Sequence, residues 1–262
     1  MLANLRKSLL HHLARRKYAP KIKVQRSNGL LRLGSDYGGW TFEPSADLQD
    51  SVIVSGGLGE DGSFDVEFAS RFHAKVIIVD PTPRAIRHFE AIQERVGQPA
   101  SQSYIKGGGL PIDSYDLRKI TKESLILDRS ALWVENTTLK FFTPAKSSHV
   151  SHSIVNYQNS YSQDTSHIEV AATTLEALLA KYHLKTVPLM KLDIEGAEIE
   201  VVRQMLQKSI HVRQLLVEFD KMNCPSDRSK TNAENTDKML RQAGYTCRYF
   251  DGQANFLYVL RW

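Results

Sequence analysis

Residues 189–198 read LMKLDIEGAE, an apolar run that breaks at two acidic residues around a glycine before a helical pattern begins. A short, mostly apolar run bounded by turn residues predicts a buried strand of a parallel sheet. Asp193 and Glu195 then stand where this strand ends. In open α/β sheets, ligands bind outside the carboxyl ends of the strands, so this stretch predicts both a fold class and the position of a site.

A second strand end of this kind lies at residues 51–65, which read SVIVSGGLGEDGSFD. Here a short apolar strand runs into a glycine-rich turn and then into a helix. Glycine lets the backbone approach a ligand closely, and the N-terminus of the next helix favours negative charge. The two stretches together predict a nucleotide-type ligand over the carboxyl ends of parallel strands.

From residue 51 onward, strand and helix patterns alternate, which predicts a mostly parallel α/β sheet built from βαβ units. The last two predicted strands suggest an antiparallel hairpin at the C-terminal edge, and 131–142 suggests a second hairpin around Glu135 and Asn136. Strands are predicted at 51–55, 75–80, 124–127, 131–134, 138–142, 188–192, 215–219 and 256–260. Helices are predicted at 64–72, from Pro83 to before Gly97, after a cap at Thr173 or Thr174, after Asp193, and at 235–242.

Two polar stretches interrupt this alternation. Residues 98–123 are rich in glycine, proline and polar residues and read as a loop or insertion. Residues 143–166 are dominated by Ser, His, Asn, Gln and Tyr, which cannot build a packed core, so we expect a lid or substrate loop there.

Composition sets the broad class of the protein. The chain has 262 residues, of which 42% are hydrophobic, enough for one large domain. Cys224 and Cys247 match neither a zinc-binding spacing nor a secreted disulfide framework, so we expect ordinary thiols in a reducing compartment and a cytoplasmic protein. No apolar stretch approaches the roughly 20 residues needed to cross a bilayer, and no signal-peptide core follows the first basic residues.

The net charge of +5 is concentrated at the N-terminus, where no Asp or Glu precedes Asp36. We therefore divide the chain into a basic lead-in, residues 1–45, and a main domain, residues 46–262. Four leucines at helical spacing predict a basic amphipathic helix at 2–16. This helix either packs on the core as a cap or lies on a membrane surface or anionic partner. Basic residues without interleaved aromatics are weak evidence for nucleic acid, so we expect no nucleic-acid partner.

Asp80 ends the second predicted strand, about 20 residues after the glycine turn. An acid at this place accepts hydrogen bonds from ribose hydroxyls. A structural alternative is that residues 80–83, which read DPTP, form only a turn and a helix start. Because the glycine turn and the acid occur as a pair, we expect ribose binding, with Pro81 and Thr82 beside the cofactor.

Ribose belongs to NAD as well as to S-adenosylmethionine, and the glycine turn discriminates between them. A pyrophosphate-binding turn has the pattern Gly-x-Gly-x-x-Gly, whereas here Gly57 and Gly59 are followed by Glu60 and Asp61. Two carboxylates would repel phosphates, while a sulfonium ligand suits them. We therefore expect S-adenosylmethionine as the cofactor, with Ser63 at the start of the following helix also near it.

Four stretches carry a resemblance to a known family. Residues 55–65, 80–83, 191–198 and 217–220 resemble the FkbM-type methyltransferases, and the similarity spans roughly 51–260. The resemblance implies a class I methyltransferase fold, which is Rossmann-like, and S-adenosylmethionine-dependent O-methylation, often of sugars or secondary metabolites. The run KLDIEGAE is the most specific of these motifs. The chain has Ser55 where the general pattern has an acid, and Asp61 where it has a third glycine.

The same resemblance implies places for the parts of the cofactor. Gly57, Gly59 and Glu60 would line its methionine end, and Asp80 its ribose. The segment around Ala131 and Leu132 would line the adenine.

Methylation of a hydroxyl group requires that the acceptor be aligned and that it lose its proton. Asp193 is the first candidate base, and its rival role is to cap the following helix, with Glu195 or Glu198 complementing the helix dipole. A divalent ion shared by Asp193 and Glu195 is an alternative. His149 and His152, in the predicted lid, are further candidates, although solvated loop histidines are common.

Three functions follow as alternatives. We favour an O-methyltransferase acting on a hydroxylated small molecule or glycan. The others are a nucleic-acid or protein methyltransferase that uses the basic N-terminus, and a cofactor-binding module without catalysis.

Two further residues have predicted positions. Glu218 is predicted at the same sheet edge as Asp193, where it either faces the acceptor or forms a salt bridge. Lys191 is expected to place its amine at the surface.

Overall fold

The computed structural model describes residues 13–142 and 165–261. Within these ranges the strands are β1 (Leu31–Leu33), β2 (Trp40–Phe42), β3 (Val52–Gly56), β4 (Lys75–Val79), β5 (Leu125–Asp128), β6 (Ala131–Leu132), β7 (Thr137–Phe142), β8 (His167–Thr173), β9 (Val187–Leu192), β10 (Val212–Glu218), β11 (Tyr245–Phe250) and β12 (Asn255–Leu260). The α-helices are α1 (Ser63–Phe72), α2 (Pro83–Glu94), α3 (Leu175–Lys181), α4 (Glu198–Gln207) and α5 (Asp227–Gln242). Three short 3-10 helices, Ala46–Leu48, Ile112–Ser114 and Asp220–Asn223, lie in the connections.

Seven strands form the central sheet, in the order β11-β12-β10-β9-β3-β4-β5. Strands β3, β4, β5, β9 and β10 pair in parallel, while β12 pairs antiparallel with both β10 and β11. The predicted parallel α/β fold with an antiparallel C-terminal edge is therefore confirmed. The sequence analysis did not predict β11, which completes the edge hairpin.

The two faces of the sheet bury separate hydrophobic clusters, because successive strand residues point to opposite faces. In β3, Ile53 packs with α1 and α2 on one face, and Val54 packs with α3, α4 and α5 on the other. The same alternation occurs at Leu189 and Met190 of β9. Helices on both faces leave the strand ends accessible, which is where ligands bind in such folds.

The predicted hairpin within 131–142 is wrong. Strand β8 lies between β6 and β7, pairing in parallel with β6 and antiparallel with β7. The sequence of β8, HIEVAAT, follows the polar stretch 143–166. This separation in sequence hides β8 as the pairing partner of β6 and β7. The predicted cap at Thr174 is confirmed, since its hydroxyl accepts a hydrogen bond from the Ala177 N–H at 3.1 Å.

The described part of the lead-in packs against the main domain. Residues 13–17 are helical, and the Arg15 guanidinium donates to Gln253 and Asn223. Strands β1 and β2 form an antiparallel pair whose Leu33, Trp40 and Phe42 side chains join the core on the α1 face. The boundary drawn at residue 45 and the role of the basic helix stay predictions. In the described residues, no helix is long and apolar enough to cross a membrane.

Candidate active site

A cavity of about 700 Å³ opens over the carboxyl ends of β3, β4, β9 and β10. This volume falls within the range of small-molecule and cofactor sites. Its lining includes nine acidic residues and two basic ones among the residues that the structure describes. The acids are Asp36, Glu60, Asp61, Asp80, Asp193, Glu195, Glu218, Asp220 and Asp251, and the bases are Arg32 and Lys191. The cavity is therefore acidic although the chain as a whole is basic.

The glycine turn after β3 contains two glycines that are required for different reasons. Gly57 has a φ of +84°, and a Cβ atom on it would lie 1.9 Å from the Asp193 carbonyl oxygen. Gly59 has a φ of +56°, and a Cβ atom there would meet nothing within 4 Å. Gly57 thus lets two strand ends pack together, whereas Gly59 leaves open space on the cavity side.

Asp80 follows β4 and faces the glycine turn. Its Oδ2 accepts hydrogen bonds from the Leu58 and Gly59 N–H groups at 2.9 and 3.0 Å. Its Oδ1 accepts from the N–H and the hydroxyl of Thr82 at 2.8 and 2.7 Å. A carboxylate has about four lone-pair sites, so ribose hydroxyls would have to share or replace these bonds. Asp80, Pro81 and Thr82 all line the cavity.

Two acidic residues of the turn have structural partners. The Glu60 carboxylate is bound at both oxygens by Arg84 of α2, at 2.8 and 3.0 Å. This ion pair offsets part of the charge that was expected to repel phosphate. Asp61 accepts from the Ser35 hydroxyl at 2.6 Å and from the Ser63 N–H at 3.0 Å.

Ser63 is buried outside the described lining of the cavity, and its hydroxyl accepts a hydrogen bond from the Ser35 N–H. The structure therefore gives Ser63 a role in holding the wall of the site, and its contact with the cofactor stays a prediction. Glu60 and Asp61 line the cavity, although their carboxylates are already engaged.

The expectation that Lys191 places its amine at the surface is wrong. The residue is only 3% exposed, and its amine donates to the Gly57 carbonyl oxygen. It also lies 5.8 Å from the centre of the Trp40 ring. Strand β9 is central in the sheet and alternates between two buried faces, so a lysine near its end lies beside the cavity and not on the outer surface.

Asp193 and Glu218 lie at the carboxyl ends of the neighbouring strands β9 and β10. Leu192 of β9 and Val217 of β10 are partners in the register, and the next residue on each strand lines the cavity. Burial raises the pKa of Glu218 to about 8, and the negative charges of Asp193 and Asp220 act in the same direction. Burial also raises the pKa of Asp193, and Lys191 offsets part of that rise.

The alternative role of Asp193 as a helix cap is wrong. Helix α4 begins at Glu198 with Ala197 in the cap position, so Asp193 lies too far upstream. Glu198 closes the intervening turn, accepting from the Gly196 and Ile194 N–H groups at 2.9 and 3.2 Å. Burial raises the pKa of Glu198 to about 8. Glu195 adopts a left-handed backbone with a φ of +55° and lines the cavity.

The remaining predicted residues have mixed outcomes. Ala131 and Leu132 of β6 line the cavity. His149 and His152 lie outside the described residues. Within residues 13–142 and 165–261, no group of three or more His, Cys, Asp or Glu side chains is arranged to hold a metal ion. A metal shared by Asp193 and Glu195 alone stays a prediction.

Sequence reasoning also missed a wall of the site. The connection between β1 and β2 brings Asp36, Tyr37 and Gly38 to the cavity, where a Cβ atom on Gly38 would lie 2.5 Å from the Asp61 carboxyl carbon. The paired glycines at 38 and 39 were the available signal, but they lie in the segment assigned to the lead-in.

The sequence profile of the methyltransferase FkbM domain matches residues 34–247. The chain belongs to the FkbM methyltransferase family. No curated protein sequence matches the chain significantly. A solved structure titled as a fibrillarin/Nop5p complex covers 84% of this chain and 76% of its own, with 9% identity and a TM-score of 0.39. That likeness is too low to carry an argument about this FkbM protein.

Family membership makes this FkbM protein an S-adenosylmethionine-dependent methyltransferase. The site fits that cofactor. Gly59 provides open space for close approach, Asp80 stands at the end of β4, and the acidic lining complements a sulfonium cation. When bound, the cofactor supplies the activated methyl group, and the chain's own residues orient it and exclude water.

Proposed function

We propose that this FkbM methyltransferase methylates a hydroxyl group of a glycan or another small-molecule acceptor. The observation that carries the proposal is the carboxylate pair at the ends of β9 and β10. Glu218 is the last residue of β10 and Asp193 directly follows the neighbouring strand β9; both line the cavity and have raised pKa values. Two like charges in one partly buried site favour a shared proton, which suits a pair that takes up a proton near neutral pH.

The reaction assigns a clear task to this pair. The acceptor oxygen attacks the methyl carbon, the bond between that carbon and sulfur breaks, and the hydroxyl proton passes to a carboxylate. Asn223, whose amide donates to Glu218 at 2.8 Å, orients one of the two carboxylates. Glu195, beside Asp193, is a further candidate for orienting the acceptor, and His149 and His152 stay candidates from the sequence.

The charge of the cavity supports a neutral acceptor over a polyanion. Nine acidic side chains surround the space that an acceptor must enter. A nucleic acid would have to bring its phosphates close to these carboxylates, at an electrostatic cost. The basic N-terminal segment offers contacts to a polyanion or a membrane surface outside this cavity, so peripheral membrane contact stays a proposal, as does the cytoplasmic location.

The test is a methyl-transfer assay on a panel of sugars and hydroxylated metabolites, with the product located by mass spectrometry. With an active acceptor, turnover should rise with pH as the carboxylate pair loses its proton. Asp193→Asn and Glu218→Gln should each lower turnover by about 10²-fold or more, which is the scale of general-base catalysis. The cofactor affinity should change little.

Glu90→Gln is the matched control, because this exposed glutamate on α2 pairs with Arg129 outside the described lining of the cavity. Its turnover should equal that of the wild type. Full activity in both Asp193→Asn and Glu218→Gln would contradict the assignment of the base. Methylation of an amine or a phosphate-bearing polymer, in place of a hydroxyl, would contradict the proposed acceptor class.

A further inference from the structure

We propose that Lys191 binds the carboxylate of the cofactor's methionine moiety. S-adenosylmethionine carries two positive groups, the sulfonium and the ammonium, and one negative group, the carboxylate. An acidic cavity accommodates the positive groups readily but opposes the carboxylate. A positively charged side chain within the site would offset this opposition.

Only two basic side chains occur among the described residues of the cavity lining, and their positions differ. Arg32 is exposed, and its guanidinium donates to the carbonyl groups of Gly34 and Asp36. Lys191 lies under the glycine turn, where its amine donates to the Gly57 carbonyl. Because Gly59 of this turn has open space for a cofactor, Lys191 is the basic side chain on the cofactor side of the site.

The Gly57 carbonyl occupies only part of the hydrogen-bond donor capacity of the Lys191 amine. An ammonium group has three donors, and the Gly57 carbonyl accepts from one of them. The Trp40 ring, 5.8 Å from the amine, bounds another side of it. A cation held in this way needs little reorganisation when it receives a carboxylate, since its side chain is already fixed by packing.

The residues beneath Lys191 leave its charge available to a ligand. Ser55 is its partner in the register between β3 and β9 and carries no charge. Asp65 of α1 is fully buried nearby, and burial raises the pKa of this carboxyl while the Lys191 charge and Ser55 lower it. The Asp193 carboxyl also interacts with the Lys191 charge, and burial raises the pKa of both carboxyls. Burial thus favours the neutral forms of both acids, which leaves the positive charge of Lys191 available to an anion in the cavity.

The experiment compares two ligands by titration calorimetry: S-adenosylhomocysteine and its decarboxylated analogue, 5′-deoxy-5′-(3-aminopropylthio)adenosine. Lys191→Met should weaken binding of S-adenosylhomocysteine by roughly 10- to 100-fold, the scale of a hydrogen bond between charged groups. It should change binding of the analogue by less than about 3-fold, well below that scale. The wild type should itself prefer S-adenosylhomocysteine to the analogue.

Two further variants separate this role from a structural one. Lys191→Met combined with Asp65→Asn removes the lysine together with the fully buried carboxyl near it, so it keeps the test available where the single variant does not fold. Arg32→Met, which removes the other basic side chain of the described lining, should leave the preference between the two ligands unchanged. Equal weakening of both ligands by the Lys191 variants would show that the lysine only supports the turn, and unchanged affinity for both would show that it does not contact the cofactor. Either result overturns the proposal.

Discussion

Substitution of the two glycines of the turn by alanine should have very different effects. Both residues have a positive φ, which costs a non-glycine residue about 1 kcal/mol or more. In Gly57→Ala the new methyl group would also overlap the Asp193 carbonyl oxygen, at 1.9 Å. In Gly59→Ala it would enter open space. The pair therefore compares the same change of residue with and without a backbone collision.

The size of the difference follows from the surrounding hydrogen bonds. Relief of the overlap requires movement from 1.9 Å to at least 3.0 Å, so one of the two strand ends must shift by about 1.1 Å. The Gly57 N–H donates to Val79 at 3.0 Å, and the Asp193 N–H donates to Gly56 at 3.1 Å. Loss of one or both buried bonds costs about 1–3 kcal/mol each. We expect a total destabilisation of roughly 3–6 kcal/mol for Gly57→Ala and about 1 kcal/mol for Gly59→Ala.

Thermal unfolding followed by circular dichroism measures this difference. At about 2–4 °C per kcal/mol for a chain of this size, Gly57→Ala should melt at least about 6 °C below the wild type, and Gly59→Ala about 2–4 °C below it. Gly59→Ala should fold but weaken S-adenosylhomocysteine binding by about 10-fold or more, because its methyl group occupies the approach to the backbone. Similar melting temperatures for the two variants would refute the packing role of Gly57.

Three other predictions follow from the same contacts. Asp80→Ala should weaken cofactor binding by about 1.5–3 kcal/mol by calorimetry, and an unchanged affinity would remove Asp80 from the site. Glu198 has a pKa of about 8 in the fold against 4.5 when unfolded, so the folded state holds the extra proton. Its contribution to stability is present below pH 4.5 and is lost as pH rises to about 8, by up to roughly 4–5 kcal/mol. Urea unfolding of Glu198→Gln, which keeps an acceptor oxygen, should show less loss of stability over that window, and an unaltered pH profile would contradict this cause. Deletion of residues 2–17 should preserve cofactor binding, and vesicle sedimentation of the full chain, released by salt, would distinguish a surface anchor from a packed cap.

The parts of the fold that were predictable are those with local causes. The strand and turn at 51–65 combine an apolar run with glycines, and the structure places β3, the turn and α1 there. The run at 189–192 likewise became β9, with Asp193 at its carboxyl end. In both cases a few neighbouring residues determine the backbone, so a reading of short windows succeeds.

The parts that failed depend on contacts between residues distant in sequence. The position of β8 between β6 and β7 is not visible in any short window. Lys191 reads as a surface lysine until the sheet order makes β9 central. Glu60 reads as a free charge until α2 brings Arg84 to it. The site therefore could be located from the sequence, while the partners of its charged groups could not.

The most direct test of the account is calorimetry of the purified full-length chain with S-adenosylmethionine, S-adenosylhomocysteine and NAD. An acidic cavity favours a sulfonium cation and opposes a pyrophosphate, which determines the choice of cofactor. We predict that the first two ligands bind at one site per chain and that NAD binds at least 100-fold more weakly, a difference of about 2.7 kcal/mol. NAD binding as tight as that of S-adenosylhomocysteine would contradict the central claim.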